Sequence, residues 1–162
     1  MPHEETGAYT ARVTRHSLLW VFGSALALAF AGPPLLPLVF GPAYAASVPP
    51  FFLLLPATIL LTVRRVVSNY FTASGWPGFN AGVQIVAGVI NVAVNLVVIP
   101  RWGIVGAAFA SLVSYGFESI ATVAGFQRET GVPLRELLVF RRADAEPYVA
   151  RLRGVFTWSS DA

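Results

Sequence analysis

The chain has 162 residues, 56% of them hydrophobic and only 12% charged, and its eleven arginines against eight acids leave a formal net charge of +3. That charged share is about half that of an average soluble domain, which excludes an ordinary water-soluble globule and points to lipid as the main solvent. The absence of cysteine excludes disulfides and thiolate metal sites, and the arginines form no continuous patch of the kind that binds nucleic acid.

In chain order, residues 1–16 are polar, carry Arg12, Arg15 and His16, and are expected to form a cytoplasmic N-terminal segment. Residues 17–40, "SLLWVFGSALALAFAGPPLLPLVF", contain no charge, and about twenty apolar residues suffice to cross the hydrocarbon core. Pro33, Pro34 and Pro37 predict a kink in the second half, which lipid tolerates only where neighbouring helices cover the freed carbonyls. "AYA" at residues 43–45 resembles a leader-cleavage site, but the long apolar stretch, the prolines and the further spans argue against a signal peptide. "GPAYAAS" predicts a short turn, and a second span follows at residues 49–72. Its apolar face resumes beyond Arg64 and Arg65 at Val66, Val67, Tyr70 and Phe71, so the helix is expected to continue past both arginines. "TASGWPGFNAG" is dense in Gly, Pro and Asn and reads as a loop.

The third span is expected at residues 81–100 and the fourth at residues 103–126. Pro100 is expected to end the third by removing an amide donor and disfavouring helical geometry at Ile99. Arg101 and Trp102 suit the interface and Gly103 permits reversal, so the product is a helical hairpin with its tip at the membrane surface. Residues 127–162 form a charged cytoplasmic or interfacial tail, in which "LRELLVFRR" suits a short amphipathic helix. The fold class is therefore all-α, an integral membrane protein with four transmembrane helices in residues 17–126. Four spans place both termini on one side. Ten arginines then lie in or near the inner boundary and only Arg101 outside, a positive-inside bias that makes both termini cytoplasmic.

Hydrophobicity does not pull helices together inside a bilayer, whereas small residues allow close backbone approach. Gly103, Gly106, Ala107, Ala110 and Ser114 recur at helical spacing and predict a packing face. Gln84, Asn91 and Asn95 share another helical face with Gly88, where amides either hydrogen-bond a neighbouring helix or line a wet path. Glu118 is the one acid inside a span. A charge there is costly unless paired or protonated, so it reads either as an ion- or proton-coupling site or as a buried structural carboxylate. Arg64 and Arg65 read as an anchor pair reaching the cytoplasmic headgroups. No enzyme signature and no cofactor motif is present: His3 and His16 lack metal-ligand spacing, and paired carboxylates and a Gly-rich phosphate loop are missing.

The stretch "INVAVNLVVIPRWGIVGAAFASLVSY" resembles the closing helical hairpin of the polysaccharide-exporter flippases, in the superfamily that includes lipid II flippases and multidrug/toxin extruders. The matching residues are Trp102, Gly103, Ile104, Gly106, Ala107, Ala108 and Ala110, which follow an Asn-rich, Pro-terminated helix. Phe40, Gly41 and Tyr44 are similar to the family's Phe-Gly-x-x-Tyr turn, and residues 70–82 look like its connector, so the likeness covers residues 17–126 in order. It implies the C-terminal portion of a bacterial inner-membrane transporter that exports lipid-diphosphate-linked saccharide, with the N-terminal transporter helices or another subunit as partner. It also implies that Arg64 or Arg65 meets a diphosphate and that Gln84, Asn91 and Asn95 meet sugar hydroxyls. A lipid II flippase or drug-extruder fragment, and a small non-transporting membrane scaffold or subunit, are the alternatives.

Overall fold

The computed structural model describes residues 3–139, so most of the charged tail, including Arg141 and Arg142, lies outside the described residues. Within them every regular element is helical: α1 (His3–Phe40), the 3-10 turn Pro42–Ser47, α2 (Val48–Ala73), α3 (Pro77–Thr130) and the short α4 (Leu134–Leu138). The three long helices are each apolar and long enough to cross a membrane. At 1.5 Å per residue the 38-residue α1 is about 57 Å long, far more than a hydrocarbon core of about 30 Å.

Three boundaries differ from the sequence expectation. The polar residues from His3 on are not a separate segment but the first turns of α1, which is assigned as one helix through Pro33, Pro34 and Pro37. Thr10 and Thr14 satisfy their hydroxyls within those turns by donating to the carbonyls four residues back, at 2.8 Å each. The Gly-rich connector also shrinks to Ser74–Trp76, because Pro77 starts α3 at a position where a missing N–H costs nothing. Asn80, expected in a loop, lies in the first turns of α3 and donates to Ser68 O at 2.9 Å, holding that turn against α2.

The third difference is at the hairpin. Pro100 does not end a helix: residues 77–102 stay helical and the chain reverses at Gly103 alone, at φ 53° and ψ −129°. Positive φ with strongly negative ψ is a conformation open to glycine and costly for any residue with a Cβ. Pro100 lies in the last turn of its arm, where it withholds only its own N–H from the Leu96 carbonyl.

Residues 77–102 and 104–130 then run antiparallel, each about 40 Å long. The pairs Val98–Gly106, Asn91–Ser114 and Phe79–Gly125 are all centred on the Trp102–Gly103 bend, which fixes the register over the full hairpin. A Cβ at Gly106 would lie 2.8 Å from the Val98 carbonyl oxygen, so the two backbones touch there. Trp102 and Phe109 close the tip edge-to-face at 5.7 Å.

α2 packs along the second arm of α3 in parallel, with Leu60 over Gly116 and Phe71 over Gly125. α1 returns antiparallel to α2, with Phe51 lying against Gly32. The core gathers at one end of the bundle, where Ala11, Val63, Val67, Tyr70, Phe71, Val123, Phe126 and Leu137 pack together. Leu137 belongs to α4, so that short helix caps the core end, and Arg15 of α1 donates to its Glu136 carbonyl. Away from this end the helices expose bulky apolar side chains. Phe30, Leu38 and Leu96 are 78%, 79% and 73% exposed. Only 11%, 17% and 11% of the most apolar windows of the three long helices is covered by the rest of the molecule.

Gly106→Val is expected to wedge the hairpin apart and destabilise it by about 1–3 kcal/mol, read as a lower unfolding midpoint in detergent. Gly88→Val, whose Cβ would meet nothing, should leave the midpoint within error. Equal effects from the two would contradict the close contact.

Candidate functional site

Polar side chains meet at the interface of α2 and the α3 hairpin. Helical geometry turns adjacent residues about 100° apart, so Arg64 and Arg65 cannot share an environment. Arg64 faces the hairpin and lies 3.4 Å (Nε to Oε2) from Glu118, both side chains being nearly buried. Arg64 Nε is close enough for ion pairing but makes no aligned hydrogen bond. The carboxylate thus has a compensating cation on the neighbouring helix. That fits the structural role weighed for Glu118 and occupies the charge of Arg64.

Depth follows from the helix rise. Glu118 is fifteen residues beyond Gly103, or about 22 Å from the hairpin tip. With the tip at one membrane surface, the pair falls within the far half of a hydrocarbon core about 30 Å thick. A buried ion pair there adds little net stability, but losing one partner strands the other charge.

One turn nearer the tip lies an amide ladder. Asn91 Nδ2 donates to Ser114 Oγ at 3.0 Å, and Asn95 Nδ2 donates to Asn91 Oδ1 at 2.9 Å. Ser114 in turn donates to Ser111 O at 3.1 Å. The ladder ties the two arms together, and Asn95 Oδ1 remains enclosed without a donor. Gln84 and Gly88, expected on the same face, are exposed on the first arm. Gly106, Ala110 and Ser114 are buried against the hairpin partner, Ala107 is half-buried, and Gly103 is exposed at the bend.

Arg65 points elsewhere. It lines an open groove of about 580 Å³ between α1 and α2, together with Ser17, Trp20, Thr58 and Thr62. No residue of α3 lines that groove, so the structure does not bring Arg65 together with Asn91, Asn95 or Glu118. Sequence reasoning missed this groove because its hydroxyls are scattered through two apolar spans. It also missed the partner of Asn91, although Ser114 was visible as the polar member of a small-residue stripe. Among the described residues no group of acids and histidines is placed to hold a metal ion.

Fold and composition together define a multi-pass, all-helical membrane protein. Over 104 residues the chain is 25% identical to an uncharacterized membrane protein of Methanocaldococcus jannaschii, a match covering 64% of this chain and 20% of that relative. The matched region thus spans about a fifth of the relative's length. No protein-family model matches, and no solved structure matches.

Arg64→Met should cost about 3–5 kcal/mol by stranding Glu118, and the double variant Arg64→Met, Glu118→Met should recover most of that loss. Unfolding in detergent by a double-mutant cycle reads the coupling. A double variant that merely adds the two single losses would show that the pair does not interact.

Proposed function

We propose that this chain is the C-terminal portion of a bacterial inner-membrane flippase that exports lipid-diphosphate-linked oligosaccharide for cell-surface polysaccharide. The observation that carries the reading is the polar seam inside apolar helices, formed by Arg64, Glu118, Asn91, Asn95 and Ser114. Ionisable groups within membrane spans are expensive, and those that persist mark substrate or ion pathways more often than not. The collinear resemblance over residues 17–126 supports the same conclusion, and the likeness to a much longer membrane protein supports its membrane setting alone.

On this reading the two arms of α3 are separate spans, and with α1 and α2 they make four. Both termini and the packed end of the bundle then face the cytoplasm, and the Gly103 bend faces out. The uncovered apolar faces of α1 and of the first α3 arm meet the N-terminal transporter helices, another subunit, or lipid. Gln84, exposed beside Gly88 on that arm, faces the same side and offers an amide to sugar hydroxyls. The Arg64–Glu118 pair supplies a point at which a substrate phosphate or a proton can compete for one member of the pair. The protein moves its substrate and performs no covalent chemistry, as general transporter physics allows through rocking of helical lobes about a midplane site.

Deleting the gene should abolish surface polysaccharide and leave lipid-linked saccharide on the cytoplasmic leaflet. Re-expression of the wild type, but not of Glu118→Ala, should restore display. Normal polysaccharide in the deletion strain would remove the flippase reading and favour a membrane scaffold.

A further inference from the structure

The α1–α2 groove has a chemistry of its own, independent of export. Arg65 lies eight residues before the end of α2, about 12 Å along the helix, with Val66, Val67, Tyr70 and Phe71 still to follow. At that depth a guanidinium reaches the headgroup phosphates only by extending along the helix surface. Arg64 beside it is engaged by Glu118. Arg65 has no ion pair or side-chain hydrogen bond within the described residues, and no carboxylate lines the groove. Its wall carries hydroxyls at Ser17, Thr58 and Thr62 and apolar surface at Val21 and Leu61. Thr58 Oγ1 donates to Leu55 O at 2.7 Å and Thr62 Oγ1 to Thr58 O at 2.8 Å, so both oxygens keep lone pairs for an incoming donor.

We infer that this groove holds one glycerophospholipid with a net-negative, hydroxyl-bearing headgroup. The phosphodiester accepts from the Arg65 guanidinium, a headgroup hydroxyl donates to the Ser17 or Thr62 oxygen of the groove wall, and an acyl chain runs past Thr58 along Val21 and Leu61 toward the middle of α2. A single unengaged cation matches the single charge of a phosphodiester, whereas a diphosphate would call for a second cation. A zwitterionic headgroup would bring an ammonium to a groove without a carboxylate. The volume of about 580 Å³ is within the ordinary range for small-molecule pockets.

The test is native mass spectrometry of the full chain released from detergent and titrated with phosphatidylglycerol, phosphatidylethanolamine or an isoprenyl diphosphate. One phosphatidylglycerol per chain should be retained in preference to the other two. Arg65→Ala should weaken that retention by roughly fivefold, the factor expected for one cation near a membrane surface. Thr62→Val should weaken it less, and Arg128→Ala, an equal charge change on an exposed helix end, should leave it unchanged. Helical content by circular dichroism verifies that each variant is folded. Equal losses in Arg65→Ala and Arg128→Ala, or equal retention of phosphatidylethanolamine, would overturn the site as mere charge attraction. Preferred retention of the isoprenyl diphosphate would overturn the assignment of the occupant. None of these outcomes depends on whether the deletion strain displays polysaccharide, so this inference and the flippase reading fail separately.

Discussion

Helices surrounded by hydrocarbon gain nothing by hiding apolar side chains from one another, so their adhesion must come from close contact and polar bonds. That constraint organises the whole bundle. The hairpin is held where Gly106 lets two backbones meet and where Asn91 bonds Ser114, and α2 is held to it by Arg64 and Glu118. Only at one end does something like a soluble core form, with Tyr70 edge-on to Phe126 at 5.0 Å and Phe71 tilted against Phe79 at 4.4 Å. There α4, Arg15 and the short Ser74–Trp76 connector draw the chain together. Elsewhere the helices touch only along narrow small-residue and polar seams and leave their bulky apolar side chains uncovered.

Much of this was legible in the residues, and the parts that were not have a common cause. Apolar length located the long helices, and a glycine between two apolar runs located the reversal. What failed was the assumption that proline and glycine end helices. Pro100 lies inside the first arm, two residues short of its end, and Gly78 and Gly82 lie in the first turns of α3, whereas Pro33, Pro34 and Pro37 stay inside one continuous helix, as expected of the first span. Where the backbone has no water to bond, intrahelical bonds are worth keeping, so breaker residues lose much of their force. The polar turns from His3 to His16 were equally misleading, because what holds them is packing on α4, with Arg15 donating to the Glu136 carbonyl, rather than periodicity.

The site residues illustrate a different limit. Spacing put Gln84, Asn91 and Asn95 on one face, yet it cannot tell which part of that face a neighbour covers. Asn91 bonds Ser114 on the second arm and Asn95 bonds Asn91 on its own, whereas Gln84 is exposed. Likewise the sequence presents Arg64 and Arg65 as a pair, but a 100° step along α2 sends one to a carboxylate and the other to an open groove. Two identical side chains thereby acquire separate surroundings: one pairs with a buried acid between helices, and the other lines an open groove between α1 and α2.

The measurement that bears most directly on the lipid-solvated bundle is spin-label accessibility in proteoliposomes. The chain has no cysteine, so Val89→Cys, Leu96→Cys and Leu38→Cys each introduce a single labelling site. Labels at these exposed apolar positions should collide freely with dissolved oxygen and be shielded from a water-soluble nickel chelate. High nickel accessibility at all three would place the helices in water and contradict the membrane fold.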